Sequence, residues 1–104
     1  MLNELAEKCS DIAAAHGFVV THDNIPEKLM LTVSELAEAL EDHRAGKLDT
    51  YYEGAKPCGF GVELADAIIR ILDITHARNI DIDKLVSEKM AYNEGRPFKH
   101  GKAY

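Results

Sequence analysis

Residues 61–77 read GVELADAIIRILDITHA and form the most apolar long segment of this 104-residue chain. At about 100° per residue, the apolar side chains cover almost the whole circumference of a helix, which predicts a buried helix. Its charged residues Glu63, Asp66, Arg70 and Asp73 fall on one narrow stripe. Buried carboxylates cost several kcal/mol each unless they are paired, protonated or metal-bound, and one Arg cannot neutralise three acids. The stripe therefore predicts a metal site.

The preceding helix carries a second acidic pair at the same spacing. Glu35 and Glu38 are three residues apart, so their Cβ atoms lie about 5–6 Å apart and both carboxylates can close on one cation. Together with Glu63 and Asp66 they predict a cage of hard oxygen ligands for Mg²⁺, with Mn²⁺ as a possible substitute. The alternative is an ordinary solvated helix face opposite an apolar stripe that packs on the core. That stripe consists of Leu29, Val33, Leu36, Ala37 and Leu40.

Four helices and no strand are predicted along the chain. Apolar periodicity, with glycines as stop signals, places them at about residues 2–16, 26–45, 61–79 and 82–95. Asp81 or Asp83 is expected to cap the fourth helix, and its inner side is expected to hold Leu85, Val86 and Met90. Residues 46–60 show no sustained period and are interpreted as a loop. The predicted fold is one all-α, four-helix domain over residues 1–104 with an irregular C-terminal tail.

The charge distribution is uneven. The chain has 18 acidic and 12 basic residues and a formal charge of −6, which argues against a binder of nucleic-acid polymers or anionic membranes. Residues 89–104 nevertheless carry four cations and one acid. An acidic body with a basic tail suits a metal that bridges to an anionic ligand, although a solvated basic terminus would have the same composition.

The cysteines and the N-terminal residues indicate a cytoplasmic protein. Cys9 and Cys58 have no metal-type spacing, and acidic residues occur already at Glu4 and Glu7, unlike in a signal peptide. The apolar stretches are too short to span a bilayer. Both thiols are therefore expected to be reduced.

A family resemblance follows from the acidic pairs and the tail taken together. Glu35-x-x-Glu38, 24 further residues and Glu63-x-x-Asp66 precede the tail 89–102, which contains K-x-x-x-N-x-x-R-P. This combination resembles the MazG-like branch of the all-α nucleoside triphosphate pyrophosphohydrolases over roughly residues 26–102. The resemblance implies Mg²⁺-dependent hydrolysis of a (deoxy)nucleoside triphosphate between the α and β phosphates, giving a monophosphate and pyrophosphate. It also implies a homodimer or a homotetramer.

The resemblance also implies roles for individual residues. The implied metal ligands are Glu35, Glu38, Glu63 and Asp66, and the implied substrate-binding residues of the tail are Lys89, Asn93 and Arg96. Lys56, before the third helix, is a further candidate for contacting phosphate. The family often has an additional Glu where this chain has Ser34. Water activation would then rest on Glu35 or Glu38 together with the metal.

Two further expectations concern assembly and an alternative function. A helix that is apolar all round in so small a domain suggests that another subunit covers part of it. Arg70 and Asp73 are expected to form an ion pair or a subunit contact. The alternative to an enzyme is a non-catalytic helical oligomerisation or interaction module that binds metal or nucleotide, and Ser34 is the residue that favours it.

Overall fold

The computed structural model of the chain describes residues 1–101, so Lys102 of the predicted tail lies outside the described residues. The helices are α1 (Leu2–Ala15), α2 (Ile25–Arg44), α3 (Phe60–Ala77) and α4 (Ile82–Glu94). A two-stranded sheet, β1 (Tyr51–Glu53) and β2 (Lys56–Cys58), separates α2 from α3, and a 3-10 turn (Phe98–Gly101) follows α4. The prediction of a mainly helical domain with four helices is confirmed. Among residues 1–101, no helix has both the length and the apolarity of a membrane span.

Helix α3 is the central element, because both α1 and α2 pack on it while α4 packs on α1. Small residues allow the close approach of α1. Ala6 and Cys9 of α1 are buried against Leu72 of α3, and Leu2 and Ile82 pack around this cluster. This core places the acidic stripe of α3 beside α2.

The short sheet corrects the interpretation of residues 46–60 as a loop without strands. β1 and β2 pair antiparallel, with Glu53 opposite Lys56. Gly54 has a φ of 65°, the left-handed conformation that two-residue hairpin turns require. Strands of three residues are too short to produce a readable period of two, so periodicity could not reveal them.

Gly59 fixes the hairpin against the start of α3. Its φ is 116°, and a Cβ atom at this position would lie 2.7 Å from the carbonyl oxygen of Asp49. Only glycine fits this combination of backbone angle and close approach. The N–H of Phe60 donates to the carbonyl oxygen of Lys47 at 3.1 Å. The hairpin is thereby held at the end of α3 that carries Glu63 and Asp66.

The orientation of α2 also differs from the prediction. Its buried residues are Thr32, Glu35 and Ala39, whereas the apolar stripe expected to face the core is turned outward. Leu36, for example, is 48% exposed. The usual amphipathic rule fails because α2 directs its acid-bearing side to α3, which leaves the apolar stripe for another partner.

Two further burial predictions are wrong for a single chain. Helix α3 is not buried all round, since Ile68 is 52% exposed and Ile69 and Ile71 are also exposed. The predicted inner side of α4, Leu85, Val86 and Met90, is exposed as well. The reason is the number of neighbours: two helices cover only part of the circumference of α3, and α4 contacts the body mainly through α1.

The N-termini of α1 and α4 cap each other. Asp83 accepts hydrogen bonds from the backbone N–H groups of Leu2 and Asn3 at 2.9 and 3.0 Å. Asn3 returns one contact, because its Oδ1 accepts from the N–H of Ile82 at 3.0 Å. Of the two predicted caps of α4, Asp81 is the one observed, and its side chain accepts from the N–H of Lys84. Asp83 thus joins two helices that are about 80 residues apart in sequence.

We expect Asp83→Ala to lower the midpoint of thermal unfolding by several degrees, because two helix N–H groups lose their acceptor. These N–H groups, first that of Asn3 and then that of Leu2, lower the pKa of Asp83. The stability that Asp83 contributes is therefore present at neutral pH and is lost as the pH falls through its lowered pKa. Circular dichroism melts at pH 7 and pH 3 measure both effects. Glu88→Ala, which removes an exposed acid of α4, serves as the control and should change little.

Candidate metal centre

Three of the predicted acids converge between α2 and α3. Glu35, Glu63 and Asp66 each offer a carboxylate oxygen, and these three oxygens lie within 4.8 Å of one another. Glu35 is buried, and the other two are half-buried. We refer to Glu35, Glu63 and Asp66 as the acidic triad. It arises because α3 carries its stripe on the side where α2 carries Glu35.

The donor chemistry of the acidic triad fits a small divalent cation. Mg²⁺ binds carboxylate oxygens at 2.0–2.1 Å in an octahedron, so two oxygens on one ion are about 3 Å apart when adjacent and about 4.2 Å apart when opposite. The triad oxygens lie within 4.8 Å of one another, so their side chains would close further around one bound ion. Three carboxylates, without thiols or imidazoles, favour Mg²⁺ or Mn²⁺ over zinc.

An ion pair that the sequence did not predict orients Glu35. The Nε of Arg70 donates to Oε1 of Glu35 at 3.0 Å, and the Glu35 side chain is only 11% exposed. The expected pairing of Arg70 with Asp73 is not found, because Asp73 Oδ1 instead accepts from the hydroxyl of Ser10 at 2.5 Å. Arg70 uses one carboxylate oxygen of Glu35 and leaves the other for a ligand.

The crowding of carboxylates changes their protonation. The pKa of Glu63 is raised from 4.5 to about 7, first by burial and then by Glu38, which accepts a hydrogen bond from the protonated Glu63 carboxyl and repels its charged form. Burial also raises the pKa of Asp66, and the charge of Glu35 raises it further, while Arg70 opposes the change. Strongly shifted carboxyl groups that face one another are typical of functional sites. Repulsion between the carboxylates favours their protonated forms. A divalent cation at this position would neutralise the carboxylates and release these protons.

Because the pKa of Glu63 is raised on folding, the metal-free protein should lose stability as the pH rises from about 4.5 to about 7. Bound Mg²⁺ should restore this stability, so the rise in melting temperature on adding Mg²⁺ should be larger at pH 8 than at pH 5. Thermal melts with EDTA or with Mg²⁺ at both pH values test this expectation. Glu63→Gln cannot titrate, and its melting temperature should depend less on pH. An equal Mg²⁺ effect at both pH values would contradict the assignment.

The remaining acid and the hairpin lysine lie at the edge of the triad. Glu38 is exposed and outside the group of three oxygens, although it is close enough to Glu63 to raise the pKa of that residue. Lys56 on β2 is exposed, and its charge opposes the rise in the pKa of Asp66. Both residues therefore neighbour the triad, and Lys56 supplies positive charge there.

The three tail residues predicted to bind substrate do not contact the acidic triad of their own chain. Lys89 and Arg96 both lie on the ring of Tyr92, with Nζ and Cζ at 4.8 and 5.5 Å from its centroid. Asn93 is exposed on α4. Within residues 1–101, none of the three forms a hydrogen bond or ion pair with the acidic triad. The reason is that α4 packs mainly on α1, away from α2.

No family profile, curated protein or solved structure matches this chain. The signal for Arg70 was present in the sequence, since it follows Asp66 by one helical turn on the same stripe, but its partner Glu35 lies 35 residues away. Pairing over such a distance depends on how α2 and α3 pack, which periodicity does not specify.

Proposed function

We propose that the chain is a Mg²⁺-dependent nucleoside triphosphate pyrophosphohydrolase, which cleaves a (deoxy)nucleoside triphosphate into a monophosphate and pyrophosphate. The observation that carries this proposal is the convergence of Glu35, Glu63 and Asp66 within 4.8 Å. The resemblance of both acidic motifs and of the tail to the MazG-like family supports the same reaction. Glu38 is included as a fourth carboxylate, since it reaches Glu63.

The acidic triad and its neighbouring residues can each take a different role in phosphate cleavage. Mg²⁺ held by the triad would neutralise phosphate charge and lower the pKa of a bound water. Arg70 holds Glu35 in position, and Lys56 brings a cation to the edge of the site on the hairpin. Glu38 is exposed beside Glu63 and can accept a proton from water. Glu35 could do so only in place of binding the metal, because Arg70 occupies its other oxygen. Phosphate cleavage requires mostly positioning and charge neutralisation, which these residues provide.

We further propose that the active form is a homo-oligomer, a dimer or a tetramer, because one chain leaves a continuous apolar surface uncovered. Glu35 pairs with Arg70 while Glu38 reaches Glu63, so α2 and α3 run antiparallel. In an antiparallel pair of α-helices, the residue directly after each inward-facing residue points to the same side of the pair in both helices. We call this surface the apolar face. It consists of Leu29, Val33, Leu36, Leu40, Leu64, Ile68 and Ile71, which are all exposed.

The dimensions of the chain support the same proposal. The radius of gyration of the Cα atoms is 16.2 Å, whereas a compact domain of this length has about 13 Å. Within residues 1–101, Leu72 is the one large aliphatic side chain that is buried. A second copy that laid its apolar face on the first would complete a bundle of four helices from α2 and α3 of both chains.

The direct test is a product assay with purified protein, Mg²⁺ and a panel of common and modified (d)NTPs. We expect pyrophosphate and the monophosphate as products, without orthophosphate, and no turnover in EDTA. Orthophosphate as the primary product would contradict the proposed bond cleavage.

The same panel tests the alternative of a non-catalytic module that binds metal or nucleotide. Ser34, at the position where the family often has an acid, is the observation that favours this alternative. Binding of Mn²⁺ and nucleotide without turnover of any panel member would support it over the enzyme.

A further inference from the structure

A cavity of about 550 Å³ lies between α1, α2 and α3 and adjoins the acidic triad. Glu35 and Asp66 belong to its wall and also to the triad. The volume is within the range of small-molecule sites, which is about 300–1,000 Å³. A phosphorylated molecule with its phosphates at the triad would therefore place its organic part in this cavity.

One side of the cavity is apolar and is held in place by its own hydrogen bonds. Phe18 and Val20, from the connection between α1 and α2, line it together with Ala13 and Ile69. Asn24 fixes this connection: its side chain donates to the carbonyl oxygen of Val19 at 2.8 Å and accepts from the N–H of Thr21 at 2.7 Å. A preformed apolar wall with one aromatic ring suits a flat heterocycle.

Asp73 is one of the polar groups of the cavity wall outside the triad, together with Glu27, Lys28 and Arg70. It follows Asp66 by seven residues on α3 and so lies about 10 Å from it along the helix axis. A nucleoside is of comparable length. Asp73 accepts from Ser10 through Oδ1, and its remaining lone pairs are available to a ligand in the cavity. Beside it, Cys9 remains a neutral thiol, because burial and the charge of Asp73 raise its pKa.

A carboxylate at this position distinguishes between bases. It accepts a hydrogen bond from an exocyclic amino group, as on cytosine or adenine. A keto oxygen at the same place would face the carboxylate oxygens without a proton between them. A buried polar group that loses its partner makes the mismatched ligand bind much more weakly.

We propose that this cavity holds the base of the nucleotide whose phosphates bind at the acidic triad, and that Asp73 selects bases that present an amino group. The inference rests on the proposed function for the location of the phosphates, and it adds the substrate class. It also assigns a role to Asp73, Phe18 and Val20, which are not part of the acidic triad.

The first test fills the cavity. Ala13→Phe adds a ring to the cavity wall, whereas Ala14→Phe adds the same ring to the exposed side of α1 and is the matched control. Calorimetry with Mg²⁺ and non-hydrolysable α,β-imido nucleotides measures binding without turnover. We expect Ala13→Phe to weaken nucleotide binding at least about tenfold and Ala14→Phe to leave it unchanged. Val20→Trp fills the cavity from the connection between α1 and α2 and replaces Ala13→Phe if that variant does not fold.

The second test compares bases that differ only in the amino group. The α,β-imido forms of dCTP and dUTP are one pair, and those of dATP and dITP are the other. The amino member of the more tightly bound pair should bind at least about tenfold better than its keto partner. Asp73→Asn should remove most of this preference, because an amide can donate to a keto oxygen as well as accept. An unchanged preference in Asp73→Asn, or tighter binding of the keto members by wild type, would overturn the assignment.

Binding of Mn²⁺ alone and of inorganic tripolyphosphate with Mg²⁺ separates this inference from the proposed function. If both ligands bind and Ala13→Phe binds nucleotides like wild type, the cavity is not the base site, while the function proposed for the triad stands. If neither ligand binds to the wild type, both proposals fail. We expect both ligands to bind equally to wild type and Ala13→Phe.

Discussion

Asp66→Asn is expected to lower Mg²⁺-dependent pyrophosphate release by at least about a hundredfold. The substitution replaces a charged oxygen donor of the acidic triad by a neutral amide of the same shape. The fold should be retained, and the metal-free variant should melt at the same or a higher temperature, since burial and Glu35 raise the pKa of Asp66. Initial rates from a coupled pyrophosphate assay, together with melts in EDTA, measure both quantities.

The matched control for this prediction is Glu41→Gln. Glu41 is also an acid near the site in sequence, but it is exposed on α2 and pairs with Arg44. Its replacement removes the same charge from the protein without touching the triad, so full activity is expected. Full activity of Asp66→Asn as well would show that the triad is not the metal site.

Leu36→Glu is expected to raise the dissociation constant of the homo-oligomer by at least about a thousandfold. A carboxylate without a partner in an interface costs several kcal/mol, and 1.4 kcal/mol corresponds to a factor of ten. In a two-fold symmetric interface the cost applies to both copies. Size-exclusion chromatography with light scattering at micromolar concentrations should give an oligomer for wild type and a monomer for the variant.

Leu5→Glu is the matched control for Leu36→Glu. Leu5 lies on α1, outside the apolar face, and it is 47% exposed, almost the same as Leu36. A leucine of equal exposure thus receives the same charge at a position where no partner is proposed. A monomer with Leu5→Glu, or an unchanged oligomer with Leu36→Glu, would show that the apolar face is not the contact.

The helices could be predicted because each depends on local rules. Apolar periodicity predicts α3 to within about two residues. Pro26 lies in the first turn of α2, and Asp81 caps α4. Pro fixes a backbone angle suited to a first turn, and Asp accepts from an N–H group that has no partner in the helix. Neither effect requires knowledge of the remaining chain.

The side of each helix that faces inward could not be predicted in the same way. The amphipathic rule assumes that the apolar stripe of α2 faces the core of its own chain. In the structure Glu35 takes that place, because it pairs with Arg70. The cavity beside it is built from three helices and the connection at Phe18. A local sequence pattern cannot predict a cavity wall whose residues come from three helices and a connecting segment.

The ion pair between Arg70 and Glu35 has a consequence for the choice of cation. Because Arg70 uses one oxygen of Glu35, this carboxylate is left to bind a metal through a single oxygen. Ca²⁺ takes six to eight oxygens and often uses both oxygens of a carboxylate, whereas Mg²⁺ requires six in an octahedron and usually keeps several waters. We therefore expect Ca²⁺ to bind the acidic triad more weakly than Mg²⁺. Arg70 would thus favour Mg²⁺ over Ca²⁺ by limiting the number of oxygens that Glu35 can offer.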